Sequence, residues 1–331
     1  MLDDRKTAIL RAVVQEYITT AQPVGSTHVA NAPGVHVSSA TVRNDMAALE
    51  HEGYLAQPHT SAGRIPTDKG YRLFVDHLAP DGHLDAAASQ QVGEFFGRAH
   101  GRLEQLLSST TDLLARLTNY ASVVVGPNPE AALVRSVQVV GLSARLVMVV
   151  AVLSNGAVEN QTIEFDDDVS DARLAAASAH LHQHFLGGPL AATKPVRPCG
   201  DATLDALCTR AVAALHEVGT DNAVFVGGAS SVANSFDAVE VVRSVLGALE
   251  QQYVVVALVR DVLDRGLSVA IGAEHGLDLL SSCSVVVKSV VVEGEQLGTV
   301  GVLGPTRMNY PQALATVDAV SERLGRRLAE G

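Results

Sequence analysis

Residues 38–50 read SSATVRNDMAALE, and this stretch decides how the N-terminal part of the chain is predicted to fold. Ser38 is a favourable N-cap, and apolar side chains follow it at the spacing of one helix face, which predicts a helix from Ser39 to about His51. Gly53 comes next, at the position where a left-handed residue commonly ends a helix. The apolar positions are Val42, Met46 and Leu49.

The segments on either side of this helix alternate between helical and strand-like patterns. Residues 4–19 have helical spacing, and residues 26–31 form a shorter helix between two breaks. Downstream, two short strands flank a polar turn at 59–63, and Thr67 caps a fourth helix that ends near His77. Helix, short helix, helix and hairpin is the order of a winged helix-turn-helix, which places a recognition helix in the DNA major groove.

The predicted recognition helix and the hairpin turn carry side chains of the types that contact DNA. Arg reads guanine, Asn reads adenine, and Ser or Thr contacts phosphate or base, while a helix N-terminus attracts phosphate. The small polar turn suits a minor groove or a phosphate backbone. An ordinary solvated helix face and loop remain the alternative. The candidate DNA-binding residues are Ser39, Thr41, Arg43, Asn44, His59, Thr60, Ser61 and Arg64.

Length and charge indicate several domains of different character. The 331 residues exceed the size at which one core stops growing, which predicts two or three domains. The net charge of −12 excludes a uniformly basic nucleic-acid binder, but not a small neutral module on an acidic carrier. Residues 1–80 hold seven of the 24 Lys and Arg and eight of the 36 Asp and Glu, so the acidity belongs to the rest of the chain.

We predict an α+β multidomain protein with three parts. Residues 1–80 form the DNA-binding domain, residues 81–120 form a connector of two helices, and residues 121–331 form a mixed α+β body. An insertion is expected roughly within 195–240, beside two prolines. The expected elements of the body include a hairpin turn at Ser154–Ala157 and a strand at Tyr253–Val259.

Targeting and cysteine patterns predict a cytoplasmic protein with no membrane partner. The N-terminus lacks the apolar core of a secretory signal, and the longest apolar runs span eight and seven residues, against about 20 for a membrane helix. Three cysteines without CxxC spacing read as free thiols in a reducing compartment.

Several clusters of residues could be interpreted as metal or nucleotide sites, but each also has a simpler structural interpretation. His180, His182 and His184 suggest metal, yet only two share a helix face. Asp166–Asp168 lacks EF-hand spacing, and Gly227-Gly228 lacks a nucleotide-binding motif. The sequence therefore predicts no metal and no cofactor.

A loop near the C-terminus, Gly304–Arg307, has the composition of an anion-binding loop. The structural alternative, which we favour, is that Arg307 pairs with an acid such as Glu274. Cys283 has no evident base partner, so a nucleophile is not expected. We therefore predict that the protein is not an enzyme.

Two groups of motifs resemble the HrcA family of bacterial heat-shock repressors. Residues 38–50 resemble its recognition helix, and residues 57–72, QPHTSAGRIPTDKGYR, resemble its wing and following helix. Far along the chain, Ile271–Glu274, Cys283-Ser284 and residues 301–310, GVLGPTRMNY, resemble its C-terminal signature. Two separate long motifs in the right order are more specific than one.

The resemblance implies a winged-helix domain, a GAF-like domain and an inserted dimerising domain. It implies a homodimer that represses chaperone operons of the groEL and dnaK type by binding a double-stranded inverted-repeat operator, the CIRCE element. It also implies that the GroEL chaperonin maintains the active repressor, and that the protein is cytoplasmic and nucleoid-associated when bound. A two-fold dimer on a two-fold operator is the geometric expectation.

Two other functions use the same N-terminal domain. In a small-molecule-gated regulator, the GAF-like body binds an effector in a pocket with convergent polar groups. In an enzyme with an accessory DNA-binding domain, the body carries a set of acid, base, nucleophile or metal ligands, and none of adequate specificity is present in the sequence.

Overall fold

The structure is a computed structural model that describes most of the chain. The described ranges are 2–59, 62–77, 84–98, 103–126, 133–154, 158–190, 196–217, 223–236, 238–266 and 268–329. Helices and strands alternate irregularly, and within these ranges every pair of neighbouring strands is antiparallel. The prediction of an α+β protein is confirmed.

The N-terminal segment, which we call the head, has the predicted order of elements. It consists of α1 (Asp4–Thr20), α2 (Ser26–Ala30), α3 (Ser39–His51), β1 (Leu55–Ala56), β2 (Ile65–Pro66) and α4 (Asp68–Asp76). Three of its helices begin at side-chain caps that accept a backbone N–H three residues on: Asp3 from Lys6, Ser38 from Thr41, and Thr67 from Gly70. Gly53 has a φ of +79° just past the end of α3, as expected for a C-terminal glycine.

Two further helices and a strand lead from the head into the body. They are α5 (Ala86–Arg98), α6 (Leu103–Thr118) and β3 (Ala121–Val125). All five residues of β3 are buried, because both faces of its sheet are covered. Val124 packs on the same side as the head core, whereas Val123 and Val125 pack on the other side.

After β3 the chain builds a separate layer over residues 133–217. Its elements are β4 (Val134–Gly141), β5 (Leu146–Leu153), β6 (Val158–Glu164), α7 (Asp171–Phe185) and α8 (Ala202–Glu217). The three strands form a sheet in sequence order, and one face packs against α7 and α8 in a core of its own. We call residues 133–217 the inserted layer. The turn expected at Ser154–Ala157 lies, after Ser154, outside the described residues.

The chain then returns to the sheet that contains β3. The returning elements are β7 (Val224–Gly227), α9 (Ala229–Ser235), α10 (Val239–Glu250), α11 (Gln252–Asp264), β8 (Val269–Ile271), β9 (Cys283–Val292), β10 (Glu295–Pro305) and α12 (Tyr310–Ala329), with short 3₁₀ turns at Gly272–His275 and Asp278–Leu280. The five strands are ordered β7-β3-β10-β9-β8. Helices α5, α6 and α12 cover one face, and α9, α10 and α11 cover the other.

Two expectations for the body differ from the structure. The interruption of the five-stranded sheet runs over 133–217 rather than roughly within 195–240, because β4, β5 and β6 pair with one another and not with β3. The strand expected at Tyr253–Val259 is instead the first part of α11. The buried positions of α11 follow an i, i+3, i+4, i+7 spacing and therefore lie on one face of the helix. These positions are Val255, Leu258, Val259 and Val262.

Among the described residues, no single helix is both long and apolar enough to cross a membrane. By length and composition alone, α10 and α11 taken together would be long and apolar enough to cross a membrane, but the two helices are bent by 92° to each other. In the structure, the buried residues of both helices belong to the core that covers the five-stranded sheet.

Candidate nucleic-acid interface

Helix α3 has one buried face and one solvent face, which follow from its sequence spacing. Val42, Met46 and Leu49 are buried in the head core, together with the carboxylate-bearing Asp45. The exposed positions recur at i, i+3, i+4 and i+7 and therefore form one stripe. They are Ala40, Arg43, Asn44 and Ala47. Two of the predicted DNA-binding side chains thus project together from the middle of the helix.

The other two predicted residues of α3 lie in its first turn. Ser39 is exposed, and Thr41 is half-buried. The backbone N–H of Thr41 donates to Ser38 Oγ (3.2 Å), and the two hydroxyl oxygens lie 3.0 Å apart. The Thr41 hydroxyl therefore belongs to the cap, while Ser39 stands free of it at the positive end of the helix dipole.

Two adjacent residues of α1 hold α3 in place. Arg5 contacts both carboxylate oxygens of Asp45, at 2.9 Å from Nε and 3.3 Å from Nη2. Lys6 Nζ lies 2.8 Å from Oε1 of Glu52, the residue that follows α3 at its C-terminal end, about two helical turns beyond Asp45. The hydrogen bond and charge of Asp45 raise the pKa of Arg5, and those of Glu52 raise the pKa of Lys6. These two contacts supplement the packing of the buried apolar face of α3 in the head core, which sets its position and rotation.

The hairpin is attached to the rest of the head through its backbone. Arg64 exchanges two backbone hydrogen bonds with Val24, each of 2.9 Å, so Val24 serves as a third strand position. Gly63 lies against the same carbonyl, and any Cβ there would overlap the Val24 backbone. His59 is exposed at the turn. The turn closes through a hydrogen bond that the Ala62 N–H donates to the His59 carbonyl (2.9 Å).

The side chain of Arg64 does not extend freely as we expected. Its Nε lies 2.8 Å from Glu50 Oε2, and the side chain is only 18% exposed. Thr60 and Ser61, the other predicted residues of the turn, lie outside the described residues. Within the described part of the hairpin, the structure therefore presents His59 to solvent and directs Arg64 toward α3.

Most cations of the head are engaged by neighbouring acceptors. Besides the pairs already described, Lys69 Nζ donates to the Glu52 carbonyl (2.8 Å) and lies 4.3 Å from the centre of the Tyr54 ring. Arg43 on α3 and Arg11 on α1 differ from these, since neither has an ion pair or hydrogen bond with any described residue. A cation without an internal partner remains available for an external anion or a base edge.

The head meets the body through α4. Arg72 forms a two-pronged pair with the Glu274 carboxylate, Nε lying 2.9 Å from Oε1 and Nη2 contacting Oε2, and it also donates to the Val269 carbonyl (2.8 Å). Burial raises the pKa of Glu274, but the hydrogen bonds from Arg72 and from the Ile271 N–H outweigh it, so the pKa is lowered overall. We call this contact the head–body clamp.

The clamp corrects the pairing that we expected for Glu274. Arg307, which the sequence suggested as its partner, instead donates to the carbonyl of Ser235 at 3.2 Å. The residues of the clamp belong to segments about 200 positions apart in the chain. No spacing pattern connects such residues, so the sequence analysis singled out Glu274 but missed its pairing with Arg72.

Packing around the clamp is close. Gly272 has a φ of +54°, and a Cβ at this position would overlap the Asp68 carboxylate at the start of α4. The ring centres of Tyr71 and Tyr310 are 5.8 Å apart, and the Tyr310 hydroxyl donates to the Thr306 carbonyl (2.5 Å). The segments quoted from the two ends of the chain therefore meet at one junction.

Comparison with known proteins assigns the chain to a family. A family model described as the HrcA protein C-terminal domain matches residues 104–314, more than half of the chain. The chain belongs to the HrcA family. The resemblance seen in the sequence motifs is confirmed.

Relatives of the HrcA family match the head as well as the body. The heat-inducible transcription repressor HrcA of Nocardioides sp. is 38% identical over 100% of this chain and 100% of that protein. The protein of the same name from Acidothermus cellulolyticus is 39% identical, again over 100% of both chains. That from Moorella thermoacetica is 34% identical over 99% of this chain and 98% of that protein.

The fold also occurs in a solved structure. A crystal structure of a hypothetical protein superposes with a TM-score of 0.70 and 24% sequence identity, covering 100% of this chain and 99% of that chain.

The clusters considered for metal or ligand binding have structural partners or little room. His180 Nε2 lies 2.8 Å from the Arg197 carbonyl, and His182 Nδ1 lies 3.4 Å from the Val137 N–H. Among the described residues, no group of three or more His, Cys, Asp or Glu side chains is arranged to hold a metal ion. The cavity between the five-stranded sheet and α10–α11 measures about 10 Å³ and has an apolar lining.

Proposed function

We propose that this protein is a heat-inducible transcription repressor whose head is a winged helix-turn-helix, with α3 as the recognition helix and the β1–β2 hairpin as the wing. The exposed stripe of α3 carries the proposal, because it presents Arg43, which has no partner among the described residues, beside Asn44 on a helix contacted at two points by α1. A rigidly held helix with free guanidinium and amide groups suits major-groove reading. The names of the full-length relatives support the same conclusion.

Each candidate residue has a role suited to its position. Arg43 donates two hydrogen bonds to a guanine edge, and Asn44 pairs with an adjacent adenine. Ser39 and the first N–H groups of α3 bind a phosphate, assisted by the helix dipole. Thr41 supports that turn by completing its cap.

The hairpin is proposed to follow the minor groove or the sugar–phosphate backbone beside the recognition helix. His59, Thr60 and Ser61 supply polar contacts there, and Arg64 supplies the charge. Arg64 reaches a phosphate only by leaving Glu50, because the two side chains are paired in the free protein.

A homodimer is proposed to bind the inverted-repeat CIRCE operator upstream of chaperone operons. In support, the inserted layer has an outer sheet face without a covering element among the described residues, which suits a dimerising domain. Its central strand carries half-buried Met148, Val150 and Val152, flanked by Val140 at 44% and Val158 at 55% exposed. Apolar side chains on an uncovered face favour association with a second copy.

The five-stranded sheet with its helices is proposed as the GAF-like domain, and GroEL is proposed to maintain the active repressor in the cytoplasm. A repressor of low stability would respond to chaperonin supply, since about 1–2 kcal/mol changes a functional fraction several-fold. Gating by a small molecule bound between the sheet and α10–α11 has less support. The apolar cavity of about 10 Å³ beside the sheet has room for about one water and offers no polar side chain to an effector.

Fluorescence-anisotropy titration tests the proposal. The protein is titrated into the family's inverted-repeat duplex and into a scrambled duplex at fixed salt, with and without GroEL. We expect a preference of about 10³ or more for the inverted repeat, and a larger active fraction with GroEL. Equal weak binding to both duplexes by a folded dimer would refute the proposal. An active fraction that is the same with and without GroEL would refute the proposed role of the chaperonin.

A further inference from the structure

The contact between Glu50 and Arg64 joins the recognition helix to the hairpin. Glu50 is 33% exposed on α3, and Arg64 is the first residue after the hairpin turn. Although the two charged atoms are 2.8 Å apart, Nε of Arg64 is buried and is not aligned for a hydrogen bond. The contact is therefore an electrostatic pair without the directional bond that would make it strong.

Helical geometry places Glu50 on the proposed DNA side. It follows Arg43 by seven residues, which is a rotation of about 700°, so the two positions differ by about 20° around the helix. Glu52, by contrast, follows Arg43 by nine residues and lies about 180° away. A carboxylate at position 50 thus faces the same phosphates that the hairpin would approach, whereas one at position 52 does not.

We propose that Glu50 is a specificity-determining residue, whose carboxylate withholds Arg64 from loosely bound DNA and releases it to a phosphate only in the closely docked operator complex. The inference rests on the proposed function. In a loose complex, no phosphate lies close enough to replace Glu50, so Arg64 stays paired and Glu50 repels the backbone. In the operator complex, α3 and the hairpin engage together, and a phosphate replaces the carboxylate as the partner of Arg64.

The salt dependence of binding separates these states. The logarithm of the binding constant falls as the logarithm of the salt concentration rises, and each neutralised phosphate makes this slope steeper by about 0.9 for duplex DNA. Replacing Glu50 by Gln lets the Arg64 side chain extend to a phosphate that it does not reach while paired, so the slope on scrambled duplex should become steeper by about 0.9. This corresponds to about a 3.5-fold larger affinity gain at 50 mM than at 200 mM salt. The slope on the operator should not change, since Arg64 already contacts a phosphate there.

A matched control and a second variant make the test specific. Glu52→Gln removes the same charge from the same end of α3, but its partner Lys6 lies on α1, so the slope on scrambled duplex should stay as in the wild type. Arg64→Gln in the wild-type background should lower the operator slope by about 0.9 and leave the scrambled slope unchanged. This second variant keeps the proposal testable even if Glu50→Gln does not fold.

The experiment is a salt series by fluorescence anisotropy on operator and scrambled duplexes, with folding of each variant checked by circular dichroism. The expected result is a steeper scrambled slope and a reduced operator preference for Glu50→Gln alone. Equal behaviour of Glu50→Gln and Glu52→Gln, or a parallel loss of affinity on both duplexes, would overturn the inference. Wild-type protein without operator preference would instead refute the proposed function, and the scrambled-duplex slopes would still report on Glu50.

Discussion

Replacing Glu274 by Gln removes the charge of the head–body clamp while keeping the size of the side chain. The carboxylate accepts two hydrogen bonds from Arg72 and one from the Ile271 N–H (2.8 Å). Hydrogen bonds to charged groups contribute about 1.5–3 kcal/mol when shielded. Because the Arg72 and Glu274 side chains are 24% and 31% exposed, we expect a loss of about 1–2 kcal/mol in unfolding free energy.

The clamp also predicts a pH dependence with a definite sign. The pKa of Glu274 is lowered in the folded protein, so its contribution is fully present above the unfolded-state value of about 4.3. That contribution is lost as the pH falls through the folded-state pKa. The stability difference between wild type and Glu274→Gln should therefore be largest near neutral pH and shrink in acid.

Urea unfolding monitored by circular dichroism between neutral and acid pH measures both effects. Glu322→Gln is the control, because its pair with Arg326 lies on the exposed surface of α12 and should contribute about 0–1 kcal/mol. The reasoning would be refuted by a Glu274→Gln variant as stable as Glu322→Gln at neutral pH. A stability difference that persists unchanged in acid would refute the assignment to the ionised carboxylate.

Two further substitutions test the hairpin attachment and the proposed dimer face. Gly63→Ala should lower the unfolding free energy by about 1–3 kcal/mol, because its Cβ meets the Val24 backbone. Gly25→Ala meets nothing within 4 Å and changes only the N-cap of α2, so it should cost less, below about 1 kcal/mol; equal urea midpoints would contradict this. Val150→Lys puts a charge at the centre of the outer face of the inserted layer and should yield a folded monomer in sedimentation velocity, whereas an unchanged dimer would exclude that face.

The N-terminal elements were predictable because their signals are local. Ser38 marks the start of α3 and Gly53 marks its end through contacts within a few residues. The structure has the same cap and the same left-handed glycine. The solvent stripe with Arg43 and Asn44 follows from the helical period alone. For this part of the candidate site, the spacing of side chains along one helix was sufficient.

The body was less predictable because its elements depend on partners far along the chain. The run Tyr253–Val259 is rich in β-branched residues, which favours a strand, yet burial against the five-stranded sheet selects a helix. The start of the inserted layer was misjudged because strand pairing, not composition, decides where the first sheet is interrupted. Strand β7, at Val224–Gly227, has only four residues and escaped the pattern.

Ion pairs were the least predictable part of the site. The sequence identified Arg64 and Glu274 as notable, but it did not reveal Glu50 and Arg72 as their partners. Pairing of charges depends on three-dimensional proximity, and the partners in the clamp are 202 residues apart. The contact bears on the proposed function, because an Arg64 paired with Glu50 would have to exchange partners to reach a phosphate.

The central claim is that the exposed stripe of α3 reads bases, and binding of wild type and Arg43→Ala to single-base-pair variants of the inverted repeat tests it most directly. For the wild type, we predict that each contacted position costs about 1–3 kcal/mol when changed. Arg43→Ala should lose about the same amount on the intact operator and should no longer discriminate at one symmetric pair of positions. Unchanged affinity and discrimination in Arg43→Ala would contradict the account.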